Sequence, residues 1–240
     1  MIGLLAVVAT LAFSQETKDE PGCECVWYDS ATCACAKECA RKCTKCDGKG
    51  DACPCIADLK RATGTIRGVL KSPYAKLAEG VVYIEEVKDR KFVPPTKNPR
   101  MDQKNKIFIP HALPVLVGST VDFPNTDDVR HNVYTEKGSP FEFNLGEYAA
   151  GVVKHVTPDK AGVLSLRCNV HTEMYAYIVV CPNPYFGTTD KKGATVIRNV
   201  PPGKYRLTFF HEKLKSKTIE VTVEAGKDAA ADFTGLERRS

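Results

Sequence analysis

Residues 161–180 read AGVLSLRCNVHTEMYAYIVV. Leu164, Leu166 and Cys168 alternate with other residues, which puts them on one face of a β-strand. Tyr175 to Val180 is an aromatic and β-branched run that makes a second strand. The short loop between them carries Cys168, His171 and Met174 in the spacing C-x2-H-x2-M. A thiolate, an imidazole and a thioether in one tight loop are donors for a soft or borderline transition metal. Taken singly, a cysteine in a β core is a small hydrophobe and a methionine is filler. The combination in its strand context favours a metal site, and zinc is the weaker candidate because thioether is a poor zinc donor.

Working outward, VDFPNTDDVRHNVY (121–134) sets Val121 and Phe123 against Asp122, then a polar turn, then His131. A sandwich can bring that histidine over the 168–174 loop and supply a further ligand. His111, His155 and His211 are read as structural or surface residues. Strand signals also fill the flanks, in TGTIRGVLK (63–71), GVVYIEEV (80–87) and the stretch after Pro184. Turns are marked at Ser72-Pro73, at Asp190-Lys191-Lys192-Gly193 and at Pro201-Pro202-Gly203. RKFVPPTKNPRMDQKNK (90–106) reads as a loop, and no long helical period follows residue 60. The expected fold class is all-β, a sandwich with a second small β unit.

Together, FIPHALPVLVGSTVDFPNTDDVRHNVY (108–134) and residues 161–180 resemble the cupredoxins, in particular the plastocyanin and amicyanin branch. The matching features are Phe-x-Pro, a Gly before a strand, Phe-x-Asn-x-Asp, His-Asn and a C-x2-H-x2-M loop of the amicyanin type. The resemblance implies a Greek-key β-sandwich in which His131, Cys168, His171 and Met174 hold one type 1 copper. It also implies that Asn132 ties the His131 loop to the Cys168 loop and tempers the thiolate. GTIRGVLK, AEGVVYIEE and TTDKKGATVIRNVPPGKYRLTFFHEK are similar to carboxypeptidase-regulatory-like and collagen-adhesin B-type sandwiches. From about Gly64 to Gly226 the chain resembles exported bacterial proteins labelled methylamine utilisation proteins, which implies redox service to a partner protein.

Nine of the eleven cysteines crowd between Cys23 and Cys55. They are Cys23, Cys25, Cys33, Cys35, Cys39, Cys43, Cys46, Cys53 and Cys55, and Cys35, Cys39, Cys43 and Cys46 are spaced to line one face of a helix. Two chemistries compete here: disulfides, which could include Cys181, and thiolate binding of additional Cu(I) or zinc. CTKCDGKG (43–50) matches one half of the zinc knuckle of J-domain chaperones.

The apolar run from Ile2 to Phe13, followed by Ala12-Phe13-Ser14 as a small-x-small site, reads as a signal peptide, and so as periplasmic or secreted placement after cleavage near Ser14. No other run approaches the ~20 apolar residues of a membrane span. The net charge of +5 is dispersed, without the basic and aromatic interleaving that nucleic acid would require. No acid–base pair or nucleophile constellation points to an enzyme. The expected layout is a signal peptide (1–14), a Cys-rich module (15–60), flanking strands (61–98) that could belong to the C-terminal sandwich, the copper domain (99–182), a carboxypeptidase-regulatory-like unit (183–228) and a fraying tail (229–240). The functional expectation is a one-electron carrier between redox protein partners, with copper storage or delivery through the cysteine cluster as the alternative.

Overall fold

The computed structural model describes residues 62–73 and 76–239, so the leader and the Cys-rich module of the sequence reading lie outside the described residues. The described chain opens with β1 (Gly64–Leu70) and β2 (Val81–Ile84). Nine strands then build a central unit: β3 (Asp102–Lys104), β4 (Ile107–Ile109), β5 (Ala112–Leu116), β6 (Val121–Pro124), β7 (His131–Thr135), β8 (Asn144–Tyr148), β9 (Val153–Val156), β10 (Gly162–Arg167) and β11 (Tyr175–Cys181). The chain closes with β12 (Phe186–Thr188), β13 (Ala194–Val200), β14 (Gly203–Phe210), β15 (Thr218–Val223) and β16 (Asp228–Phe233). The architecture is all-β, as the strand patterns require.

The central unit is a two-layer β-sandwich. One layer is a sheet in the order β5-β11-β10-β7-β8, and the other is made by the pairs β6-β9 and β3-β4. Successive strands cross between the layers, β5 to β6, β6 to β7 and β8 to β9, in the manner of a Greek key. Phe123, Val133, Leu164, Leu166, Ile178 and their neighbours fill the space between. The 90–106 segment is not loop throughout. β3 lies inside it, because Met101 and Gln103 are fully buried against the sandwich.

The remaining strands form a second sandwich around the ends of the chain, with sheets β13-β1-β16 and β12-β2-β14-β15. Ile66, Leu70, Phe209 and Phe233 anchor its core. β1 and β2 therefore pair with the C-terminal strands and not with the central sheet, and the central sandwich is an insertion between them. The 190–193 turn forms as its residues dictate. Asp190 Oδ1 accepts from the amides of Lys192 and Ala194 at 2.8 and 2.9 Å, and Gly193 takes φ +81° with Leu70 O against its Cα face, where a side chain would clash.

Residues 229–240, read from sequence as a fraying tail, are instead largely structural. β16 pairs in parallel with β1 from Thr65↔Asp228 to Leu70↔Phe233, and Leu236 is buried. Its run of three alanines carries weak strand propensity, and the pairing is decided by a partner strand far away in sequence. Cys181, grouped with the metal or disulfide cysteines, is free and fully buried. The reason lies in β11, which is apolar on both faces. Ala176, Ile178 and Val180 enter the central core, while Val179 and Cys181 join Val81, Ala112 and Phe210 in a third cluster between the sandwiches. Burial pushes the Cys181 thiol well above the ordinary thiol range.

Candidate metal centre

β10 ends at Arg167 and β11 begins at Tyr175, and the two residues face each other across the ladder. The seven residues between them close on themselves: Cys168 N–H donates to Met174 O at 3.3 Å, and Met174 N–H to His171 O at 3.0 Å. Cys168 and Met174 are 2% and 1% exposed and share the central core, and His171 is half-buried at the loop tip. The facing strand β7 starts at His131, which is fully buried. The loop and β7 bring His131, Cys168 and His171 together, with one donor atom from each lying within 4.8 Å of the others. Among the described residues no other group of three such side chains converges.

The histidine orientations are set by their partners. His131 Nε2 lies 2.9 Å from Asp127 Oδ2. A carboxylate only accepts, so Nε2 carries a proton, which in the neutral ring leaves Nδ1 its lone pair. That Nδ1 faces Cys168 Sγ at 4.0 Å and His171 Nδ1 at 3.1 Å. Asp127 is itself held in a tight turn, where Asn125 Oδ1 accepts from Asp127 N–H at 3.1 Å and Asn125 Nδ2 donates to Val129 O at 2.8 Å. The Lys106 amide donates to its Oδ2 at 2.8 Å, and this bond, with the His131 contact, keeps the Asp127 carboxyl far below the usual carboxylate range despite partial burial. The sequence reading includes Asp127 only as the last residue of Phe-x-Asn-x-Asp and gives it no role. The available signal was a carboxylate in a turn four residues ahead of the histidine.

Asn132 reaches the thiol through its backbone: its N–H donates to Cys168 Sγ at 3.5 Å. Its side chain goes elsewhere, donating from Nδ2 to Asn144 Oδ1 at 2.8 Å on β8. Beneath the cluster, Tyr148 stands opposite His131 on β8, donates its hydroxyl to Phe123 O and accepts from Gln103 Nε2. On the Met174 side a cleft of about 300 Å³ opens to solvent, lined by Ile107, Ile109, Pro110, His111, Met174 and Tyr175 among others. The three other histidines stand apart from the cluster. His155 bonds Asp122 at the surface, His211 bonds backbone, and His111 bonds Glu212. One buried thiol with one buried and one half-buried imidazole can hold a soft or borderline metal ion. Cys23 to Cys55 lie outside the described residues, and among the described residues no helix is long and apolar enough to cross a membrane.

Residues 183–231 match a family model described as polysaccharide lyase family 4, domain II. A comparison with curated protein sequences gives no significant match. Among solved structures, the chain is similar to a purple cupredoxin from Nitrosopumilus maritimus at 20% identity and a TM-score of 0.32, over 35% of this chain and 99% of that one. It is similar to amicyanin from Paracoccus versutus at 20% identity and a TM-score of 0.33, over 36% and 83%. A copper-containing nitrite reductase from Thermus scotoductus aligns at 23% identity and a TM-score of 0.34, over 47% of this chain and 28% of that one.

Proposed function

We propose that the chain is an exported type 1 copper protein that carries single electrons between redox partner proteins. The observation that carries this reading is the convergence of buried His131 and Cys168 with half-buried His171 within 4.8 Å, with the two imidazole Nδ1 atoms facing each other at 3.1 Å. These residues and Met174 would hold the ion, which supplies a one-electron couple in a ligand set that suits both Cu(I) and Cu(II). Asp127 fixes the His131 tautomer so that Nδ1 stays available. The Asn132 amide directs its N–H at the thiolate and draws off part of its charge. Packing that leaves His131 and Cys168 almost without exposure excludes water from both. His171, at the half-buried tip beside Val170, which is 41% exposed, is the outlet to a partner.

The test is copper stoichiometry and the visible spectrum of the oxidised mature protein. One copper per chain with an intense thiolate-to-copper band is expected, and Cys168→Ser should abolish the band. A Cys168→Ser variant that kept its colour would refute the ligand set.

One observation favours a second reading, copper storage or delivery. With Cys168 in the cluster and Cys181 free and buried in the core, nine of the eleven cysteines remain, and nine cannot all pair among themselves. The unpaired thiol chemistry suits Cu(I). Several Cu(I) ions per chain, lost on deleting residues 15–60, would favour storage. One ion retained after the deletion, with a single thiol of that module titrating in the full chain, would favour the carrier.

A further inference from the structure

His111 sits where the two sandwiches meet, at the start of β5 on the central one. Two carboxylates from the flanking sandwich grip it. Glu212, just past β14, places Oε2 2.9 Å from His111 Nε2, and both side chains are largely shielded, at 29% and 20% exposure. Glu79, just before β2, accepts from the His111 backbone amide at 3.0 Å. Glu79 does so from a left-handed backbone conformation, φ +61°, which a non-glycine residue adopts at a cost. Both carboxylates are anchored behind. The Glu79 amide donates to Thr189 O at 2.9 Å, and His211, next to Glu212, bonds Lys76 O at 2.8 Å.

What His111 touches on its other side is the end of the 168–174 loop. Its ring meets Tyr175 edge-on at 5.0 Å and Tyr177 at 5.6 Å, and its carbonyl accepts from the Tyr177 amide at 2.9 Å. Tyr175 directly follows Met174. Its ring also lies under the Arg167 guanidinium at 5.1 Å, and Arg167 directly precedes Cys168. One tyrosine ring therefore braces both ends of the loop, and His111 braces the tyrosine.

We propose that Glu212 and Glu79 of the flanking sandwich are positioning residues for the 168–174 loop, acting through His111 and Tyr175. The flanking sandwich then serves as a frame that sets the loop's geometry. The proposal rests on the reading of that loop as a copper loop, and its first readout is taken on the metal-free chain so that the two can fail separately.

The experiment compares Glu212→Ala, Glu212→Gln and His111→Phe in the full chain. In metal-free protein, amide exchange at Tyr177 should quicken at least tenfold in Glu212→Ala, while exchange at Ile66 in the flanking core stays unchanged. Glu212→Gln keeps an acceptor oxygen and should restore most of the protection. His111→Phe keeps the aromatic packing but loses the ring bond, and adding Glu212→Ala to it should bring no further change. In copper-loaded protein, Glu212→Ala should shift the reduction potential at unchanged copper stoichiometry, which loss of stability alone would not do. Unchanged Tyr177 exchange in both Glu212→Ala and His111→Phe, or an unshifted potential in a normally loaded Glu212→Ala, overturns the proposal. A wild-type chain that takes up no copper would instead overturn the reading of the loop.

Discussion

His131 in the central sandwich and His211 in the flanking one are both buried, at 0% and 3% exposure, and both stand at the end of a strand. They differ in what the second ring nitrogen faces. His211 Nε2 donates to Lys76 O at 2.8 Å, and its Nδ1 accepts from the Lys213 amide at 3.1 Å, so the ring is fully engaged. Its burial pushes the imidazole pKa down, which keeps it neutral and structural. His131 commits Nε2 to Asp127 and turns Nδ1 toward a thiol and a second imidazole. Burial alone does not separate the two rings; the partner of the second nitrogen does, a backbone amide for His211 and a thiol and an imidazole for His131. The same contrast holds for the two sandwiches as wholes, one ending its strands in donor atoms and the other in closed turns and clamps.

That division of labour can be broken most forcefully at Phe233, fully buried and 5.2 Å from Phe209 in the flanking core. Phe233→Ala should cost about 3–5 kcal/mol in urea unfolding. It should leave copper uptake in native buffer at one ion per chain, and loss of uptake would merge the two roles. Next comes alkaline pH. Burial pushes the Tyr148 hydroxyl, in the central core, up to about 12 from its ordinary 10.0. The folded state therefore favours the neutral phenol, so its contribution is complete below pH 10 and fades as pH rises toward 12. The loss is about 3 kcal/mol, and Tyr148→Phe should flatten that limb of a stability–pH curve.

A smaller effect should sharpen the histidine comparison. Asp127→Asn removes the carboxylate that fixes His131 and should lower copper affinity roughly 10–100-fold in a chelator competition, whereas His211→Asn should leave affinity unchanged. Equal losses in the two variants would mean that general destabilisation, and not ligand orientation, sets affinity. The smallest effect belongs to the flanking surface. Arg67 and Asp228 pair at 2.5 Å, but their side chains are 58% and 56% exposed. Arg67→Ala should change the unfolding free energy by less than about 1 kcal/mol, because solvent screens the pair.

The readable parts of the molecule were those whose causes are local. The strand, loop and strand around Cys168 declare themselves by alternation and donor spacing, and the Asp190 to Gly193 turn by an acceptor side chain and a glycine. The unreadable parts depend on partners distant in the chain. The alanines of β16 become a strand only because β1 offers its edge some 160 residues earlier. Cys181 looks like a candidate for bridging until β11 is seen to be buried on both faces. Asp127 and His111 acquire their roles from residues brought in by other strands, His131 in one case and Glu79 and Glu212 in the other. Asn132 is an instructive middle case, since its position next to His131 was readable but the division between its amide and its side chain was not.

The parallel pairing of β1 with β16 has a consequence for how the chain comes into being. A polypeptide emerges N-terminus first, whether from a ribosome or through an export channel. Among the described strands β1 and β2 therefore emerge first and cannot complete their sheets until β12 to β16 follow, more than a hundred residues later. β3 to β11 are consecutive and can collapse on one another meanwhile, because short closures form before long ones. The inserted sandwich is thus expected to be assembled before its frame closes, leaving the edges of β1 and β2 unpaired in the interval. Those two strands are where a nascent chain of this design is most exposed to mispairing with a neighbour.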